Sequence, residues 1–263
     1  MSCSTLSAWQ TGLSQPERAG SLAAVASLED ILKLPSGSLV GSLPPRRPRG
    51  RQARAFEAET ECSRRWENAY AIAPVLARLN ADWGDLTNPP ALSYRIRMRV
   101  GSAGEELALH VSRILRGGPR GAQRMVYVTS YASLPHAPRL TMTHGCRLTR
   151  FRGDAEAAVA AYEFLLDKPL GPGELTLTEF TIHYPPRQTD RHTSIHLYAG
   201  TRDVVLETVF DATYRPDRCQ AFHQPYATAP VKILKELSGS EVPREFQYVA
   251  FNPAPGIYGI RWE

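Results

Sequence analysis

The sequence predicts an α+β protein of more than one domain, a small all-α amino-terminal segment followed by a mainly antiparallel β-sandwich. Three observations predict it. Ser2–Leu43 carries apolar residues at helical spacing, punctuated by Gly and Pro. Pro44–Ala55 (PPRRPRGRQARA) breaks that pattern with three prolines and five arginines. Beyond Asn88-Pro89-Pro90, alternation of period two takes over between Gly/Pro turns. The expected divisions are an all-α segment over 1–43, a solvated linker over 44–55, a helical connector over 56–86 and the β domain over 87–263.

Taken in order, Leu6 and Trp9 share one face of a short helix that Gly12 stops. Ser21 is placed to cap the next helix, whose apolar stripe is Leu22, Val25, Ala26 and Leu32. Pro35 ends it, and Ser36 restarts a short helix carrying Leu39 and Val40. In the connector, Trp66, Ala69, Tyr70, Ala73 and Leu76 fit one face, with Pro74 expected to kink or split the helix. Such a stripe more often packs on a neighbouring domain than forms a dimer surface.

The β region opens with Tyr94–Val100, which puts Tyr94, Ile96, Met98 and Val100 on one face and three arginines on the other. That reads as a half-buried antiparallel strand. Further strand-like runs are Glu106–Arg116, Met125–Tyr131, Leu140–Arg152, Ala158–Leu166 and Glu174–Tyr184. His192–Ala199, Asp203–Tyr214, Arg218–His223, Val231–Leu237, Arg244–Asn252 and Ile257–Trp262 complete the series. Such a run of short strands with few helices favours a Greek-key sandwich, with a barrel as the alternative.

Two stretches resemble a known family. Ser4-Thr5-Leu6-Ser7-Ala8-Trp9-Gln10-Thr11-Gly12, with Pro16 beyond, resembles the recognition helix of phage-repressor-like (XRE-type) helix-turn-helix regulators. The end, Pro255-Gly256-Ile257-Tyr258-Gly259-Ile260-Arg261-Trp262, looks like the close of the β-rich region behind such domains in bacterial members. Gly145–Leu148, Leu166–Leu170 with Gly173-Glu174, Val209-Phe210 and Pro216 match the same arrangement. The resemblance implies a DNA-binding transcriptional regulator of bacterial, XRE type, with a β-sandwich for sensing or oligomerisation. Family precedent and operator symmetry point to a homodimer. It also implies that the first two helices of the DNA-binding domain would lie before Met1, so that the segment over 1–43 is partial.

Under that resemblance the recognition helix enters the major groove, and Ser4, Thr5, Ser7 and Gln10 are its exposed polar residues. Gln10 is the base reader, since its amide can bond adenine twice. Ser4 and Thr5 suit phosphate at the helix start. Cys3 stands where a longer polar residue is expected. Arg46, Arg47, Arg49 and Arg51 add salt-sensitive affinity for the duplex backbone. The arm is also readable as nothing more than a soluble linker.

Charge agrees with a basic arm. The net charge is +5, and residues 1–54 carry seven basic against three acidic side chains. The four cysteines, Cys3, Cys62, Cys146 and Cys219, form no CxxC pair. Leu22–Leu28 is too short to span a bilayer and no signal peptide opens the chain, which points to a cytoplasmic protein with no membrane partner. Of the seven histidines, His192 and His196 lie about 13 Å apart if they share a strand face, too far for one ion, and read as surface or edge residues. His144 and Cys146 share a face in that reading, but a core cysteine is favoured over a thiol–imidazole pair. The loop Gly117–Gly121 lacks the Lys-Ser/Thr ending of a phosphate cradle. No catalytic residue, metal site or cofactor is expected. The expected partners are double-stranded DNA and a small-molecule or protein effector. The alternative is a ligand- or protein-binding sandwich whose DNA-binding part is incomplete.

Overall fold

The computed structural model describes residues 16, 19–34, 37–41, 61–238 and 244–263. The chain divides into two compact units, Met1–Phe56 and Glu57–Glu263. In the first, helix α1 spans Ala19–Ile31, starting ahead of Ser21, and helix α2 spans Ser38–Gly41. Lys33 takes the left-handed conformation (φ 54°), and Leu34 N–H bonds back to the Glu29 carbonyl, which closes α1 before Pro35. The Glu29 carboxylate then accepts from the backbone N–H groups of Gly37 and Leu39, both at 2.7 Å, and so fixes the turn between the helices. Of the expected stripe, Val25 is buried, whereas Ala26 and Leu32 are exposed.

The second unit is mostly β. Its first sheet runs in the order β12–β9–β1–β2–β7–β4, built from Glu245–Phe251, Asp203–Phe210, Ala91–Val100, Glu106–Arg116, Leu175–His183 and Arg139–His144. A second sheet runs β11–β10–β13–β8, from Lys232–Ser238, Arg218–Gln224, Gly256–Trp262 and His192–Leu197. The third runs β3–β6–β5, from Ala122–Ser130, Val159–Leu170 and Cys146–Asp154. Pairing is antiparallel except between β1 and β9, which are parallel from Ser93 and Asp203 to Val100 and Phe210. The faces of β1 are as expected, with Tyr94, Ile96, Met98 and Val100 buried and the arginines outward. Its expected antiparallel character holds on one side only, because alternation reports which face is buried and not the direction of a neighbour.

One apolar core is shared by all three sheets, with Phe164 and Phe180 stacked at 4.6 Å near its middle and Trp262 fully buried. The Trp262 indole donates to the Gly104 carbonyl at 2.9 Å, tying the last strand to the β1–β2 turn. Leu140–Arg152, expected as one strand, is two in different sheets. Gly145 (φ +67°) makes the break, where a Cβ would lie 2.0 Å from the Leu177 carbonyl oxygen. His144 and Cys146 therefore belong to separate strands, His144 exposed and Cys146 in the core, its thiol pushed up to about 11 by burial.

Helix α3, Ala69–Ala77, runs unbroken through Pro74, which faces solvent. Its buried face is Ile72, Val75, Leu76 and, one turn on, Leu79. Tyr70 and Ala73, expected in the stripe, are exposed. That face covers Val126, Val128, Val159 and Ala161 on the outer side of the third sheet. Strand β6 is consequently buried on both faces, which explains why its apolar run does not alternate. A 3-10 helix over Trp83–Thr87 follows, opened by a capping box between Asp82 and Asp85.

Candidate ligand-binding cavity

Two sheet edges border a cavity in the second unit. Strand β3 is an edge of the third sheet and β8 an edge of the second. Each lines the space with consecutive residues, Val126–Tyr131 and His192–His196. Consecutive lining means that strand edges border the space, since a strand face would present every other residue. The volume is about 290 Å³. Strands β1 and β2 of the first sheet supply Tyr94, Glu106 and Arg113, the turn carrying Arg65 and Trp66 borders it as well, and Tyr184, Asp190, Phe222 and Ile257 complete the lining with their neighbours.

Arg113 is the unusual member. It occupies the inward phase of β2 with Leu109, Val111 and Leu115, and is only 5% exposed. Three aromatic rings surround its guanidinium, those of Tyr94, Tyr127 and Phe180, at 5.5–5.8 Å from their centroids. Its hydrogen bond runs from Nη2 to Met125 Sδ at 2.8 Å, and Nε–H has no partner. No carboxylate forms an ion pair with it among the described residues.

A bulge directs a second charge inward. Val100 pairs with Glu106 and Arg99 with Ala108, so Leu107 is the extra residue of β2. That extra residue returns Glu106 to the inward phase. Burial, with the neighbouring Asp190 charge adding to it, pushes the Glu106 carboxyl well above its ordinary value. Glu106 and Arg113 do not neutralise one another. Their partners on β1, Val100 and Tyr94, are six residues apart, about 20 Å at roughly 3.3 Å per residue.

The opposite boundary is aromatic. His196 stacks on Trp66 with ring centroids 3.7 Å apart and planes 8° apart. Burial, helped by the Arg65 charge, pulls the imidazole down to about 3, so it is neutral. Neither its Nδ1 nor Trp66 Nε1 has a hydrogen-bond partner. Arg65 is matched from within the chain. It donates to the Leu197 carbonyl at 2.9 Å and to Glu61 at 2.7 Å, and lies over the Tyr198 ring. Tyr131 and Tyr162 share a 2.6 Å hydroxyl contact beside the cavity, and burial keeps both phenols neutral.

The sequence-predicted residues lie elsewhere. Ser4, Thr5, Ser7, Gln10, Arg46, Arg47, Arg49 and Arg51 fall outside the described residues. His192 and His196 both belong to β8, an edge strand. His192 is exposed, and His196 is half-buried, its ring stacked on Trp66. Among the described residues no cluster of His, Cys, Asp and Glu could hold a metal, and no helix is long and apolar enough to cross a membrane. Arg113 went unremarked in the sequence, although an arginine in phase with Leu109, Val111 and Leu115 is a readable signal. Glu106 gave none, because its facing depends on the bulge.

No protein-family model and no curated protein matches the chain. Among solved structures it is similar to M1 zinc metallopeptidases. A mutant of a two-domain M1 zinc metallopeptidase bound to L-tryptophan aligns at 11% identity and a TM-score of 0.36, over 65% of this chain and 42% of that one. The M1 zinc metallopeptidase from Deinococcus radiodurans aligns at 13% identity and a TM-score of 0.34, over 65% of this chain and 41% of that one. The chain thus spans about two fifths of the length of either. Likeness at this level carries no argument about activity.

Proposed function

We propose that the unit Glu57–Glu263 is a ligand-binding β-sandwich, with the first sheet as one layer and the second and third as the other. The cavity lies where that second layer is interrupted, between β3 and β8. The observation that carries this reading is that one cavity collects three buried polar groups without partners, Arg113 Nε, Trp66 Nε1 and His196 Nδ1. Buried polar groups are ordinarily satisfied, and a bound molecule is one way of satisfying these. The test is a thermal-shift screen of the full chain against a broad small-molecule library. A compound that binds only the folded chain raises the midpoint according to RT ln(1 + [L]/Kd). Saturable shifts that a Ser194→Phe substitution abolishes support the reading. A library with no such shift at millimolar concentration removes it.

A second reading, favoured by the basic amino-terminal arm, makes this module the sensing part of a DNA-binding regulator that acts as a homodimer. It rests on the helix-turn-helix resemblance and on the charge of residues 1–54. Fluorescence anisotropy with DNA from upstream of its own gene, across a salt series, tests it. Tighter binding than to random DNA supports it. Replacing Arg46, Arg47, Arg49 and Arg51 by Ala should then flatten the slope of log K against log salt by about 0.9 per lost phosphate contact. Equal affinity for both DNAs leaves only a basic linker.

A further inference from the structure

We infer that the cavity takes a flat, aromatic monocarboxylic acid, with its carboxylate on Arg113 and its ring among the tyrosines. The inference rests on the ligand-binding reading and supplies its chemistry. Arg113 brings one positive charge into a space where, among the described residues, no carboxylate pairs with it. Its Nε–Nη2 edge, on which a carboxylate makes two parallel hydrogen bonds, meets only the Met125 sulfur. A thioether is a weak acceptor on a flexible chain, and an incoming oxyanion can displace it.

The other orphaned groups point the same way. Trp66 Nε1–H is a donor only, and the neutral imidazole of His196 offers its Nδ1 as donor or acceptor according to its tautomer. Together with Arg113 they present more donors than the chain accepts, so the ligand must bring acceptor oxygens. Tyr94, Tyr127 and the stacked Trp66–His196 pair provide aromatic surfaces along the space, which a planar apolar body matches. The volume of about 290 Å³ sets a limit near that of a small bicyclic acid.

The charge at the far end sets the number of anionic groups. Glu106 and Asp190 both line the cavity away from Arg113. A second negative charge on the ligand would approach these acids with no cation to offset it. A dicarboxylate or a phosphate monoester is therefore disfavoured against a monocarboxylate of the same size.

Isothermal titration calorimetry on the full chain tests the inference with indole-3-acetate, indole-3-acetamide and tryptamine, and with benzoate against phenyl phosphate. Indole-3-acetate is expected to bind at least tenfold tighter than the amide or the amine, and benzoate tighter than phenyl phosphate. Arg113→Met should bring the acid down to the affinity of the amide, and Arg113→Lys should recover part of the difference. If Arg113→Met does not melt cooperatively, Arg113→Lys and Arg113→Gln carry the comparison. Equal affinity for acid and amide, tighter binding of tryptamine or of phenyl phosphate, or an acid affinity untouched by Arg113→Met overturns it. If library compounds shift the melting midpoint while none of these acids binds, the inference falls and the ligand-binding reading stands. If neither library nor acids bind, both fall.

Discussion

The two sides of the third sheet treat buried charge in opposite ways. On the outer side Glu163, with a side chain 9% exposed, is held by two arginines. Arg124 reaches its Oε1 at 2.7 Å, Arg150 grips both oxygens at 2.5 and 2.6 Å, and the Thr149 hydroxyl donates at 3.0 Å. The same arginines bond the carbonyls of Leu79 and Asn80, so the cluster also fastens the end of α3 to the sheet. Burial pushes the Glu163 carboxyl up, but the bonds and charges of Arg150 and Arg124 outweigh it and hold it below the usual range. Across from its inner side, on β2 of the first sheet, Arg113 and Glu106 are just as buried, and among the described residues neither forms an ion pair. A charge matched within the chain serves the fold, whereas a charge left unmatched at a cavity is available to a ligand.

The contrast predicts opposite responses to removing each acid. Glu163→Gln should cost the most, about 2 kcal/mol, between the values for buried and exposed pairs because both arginines are partly exposed. Urea unfolding should show a lower midpoint with an unchanged m-value. Because the folded Glu163 value is depressed, its contribution is present above the unfolded value and lost as pH falls through the folded one. The gap between wild type and Glu163→Gln should therefore close in acid.

Glu106→Gln should act the other way and more weakly. Its folded value is raised, so its contribution is full below the unfolded value and disappears as pH rises through the folded one. At pH 8 the substitution should stabilise by about 1 kcal/mol, the order of the desolvation cost of an unmatched buried group. Melting curves of both proteins should converge towards pH 4. A destabilised Glu106→Gln at pH 8 would mean that the carboxylate has a partner, and the contrast with Glu163 would fail.

Much of this fold is legible from alternation. Strand β2 runs Glu106–Arg116 as read from the sequence, and β1 has its expected inward and outward residues. What alternation cannot report is connectivity. The parallel partnership of β1 with β9 and the change of sheet at Gly145 depend on residues far along the chain. The expected stripe on α3 is met in part: Leu76 is buried and Trp66 and Ala69 pack against the same cluster, whereas Tyr70 and Ala73 are exposed and Ile72 and Leu79 make the deepest contacts. The cavity was hidden for a related reason. Its parts come from many separate segments, among them β1, β2, β3, β8, β10, β13 and the turn at Arg65, and Arg113, out of place on an apolar phase, is the mark it leaves within a single strand.

Arg113→Met carries the smallest expected change in stability and the sharpest use of the comparison. The substitution removes three cation–ring contacts, each of about 0.5–1 kcal/mol. It also removes the desolvation penalty of an unmatched charge, which is of similar or larger size, and methionine fills most of the vacated volume. The two effects oppose one another, so the unfolding free energy should stay within about 1 kcal/mol of wild type. Thermal protection by an aromatic carboxylate should nevertheless disappear. A loss above about 3 kcal/mol would instead place Arg113 with Glu163, as a charge that the fold itself needs. The orphaned Nε would then be a cost carried by the core, and a ligand would have to be sought around Trp66 and His196, whose unpartnered nitrogens border the same cavity.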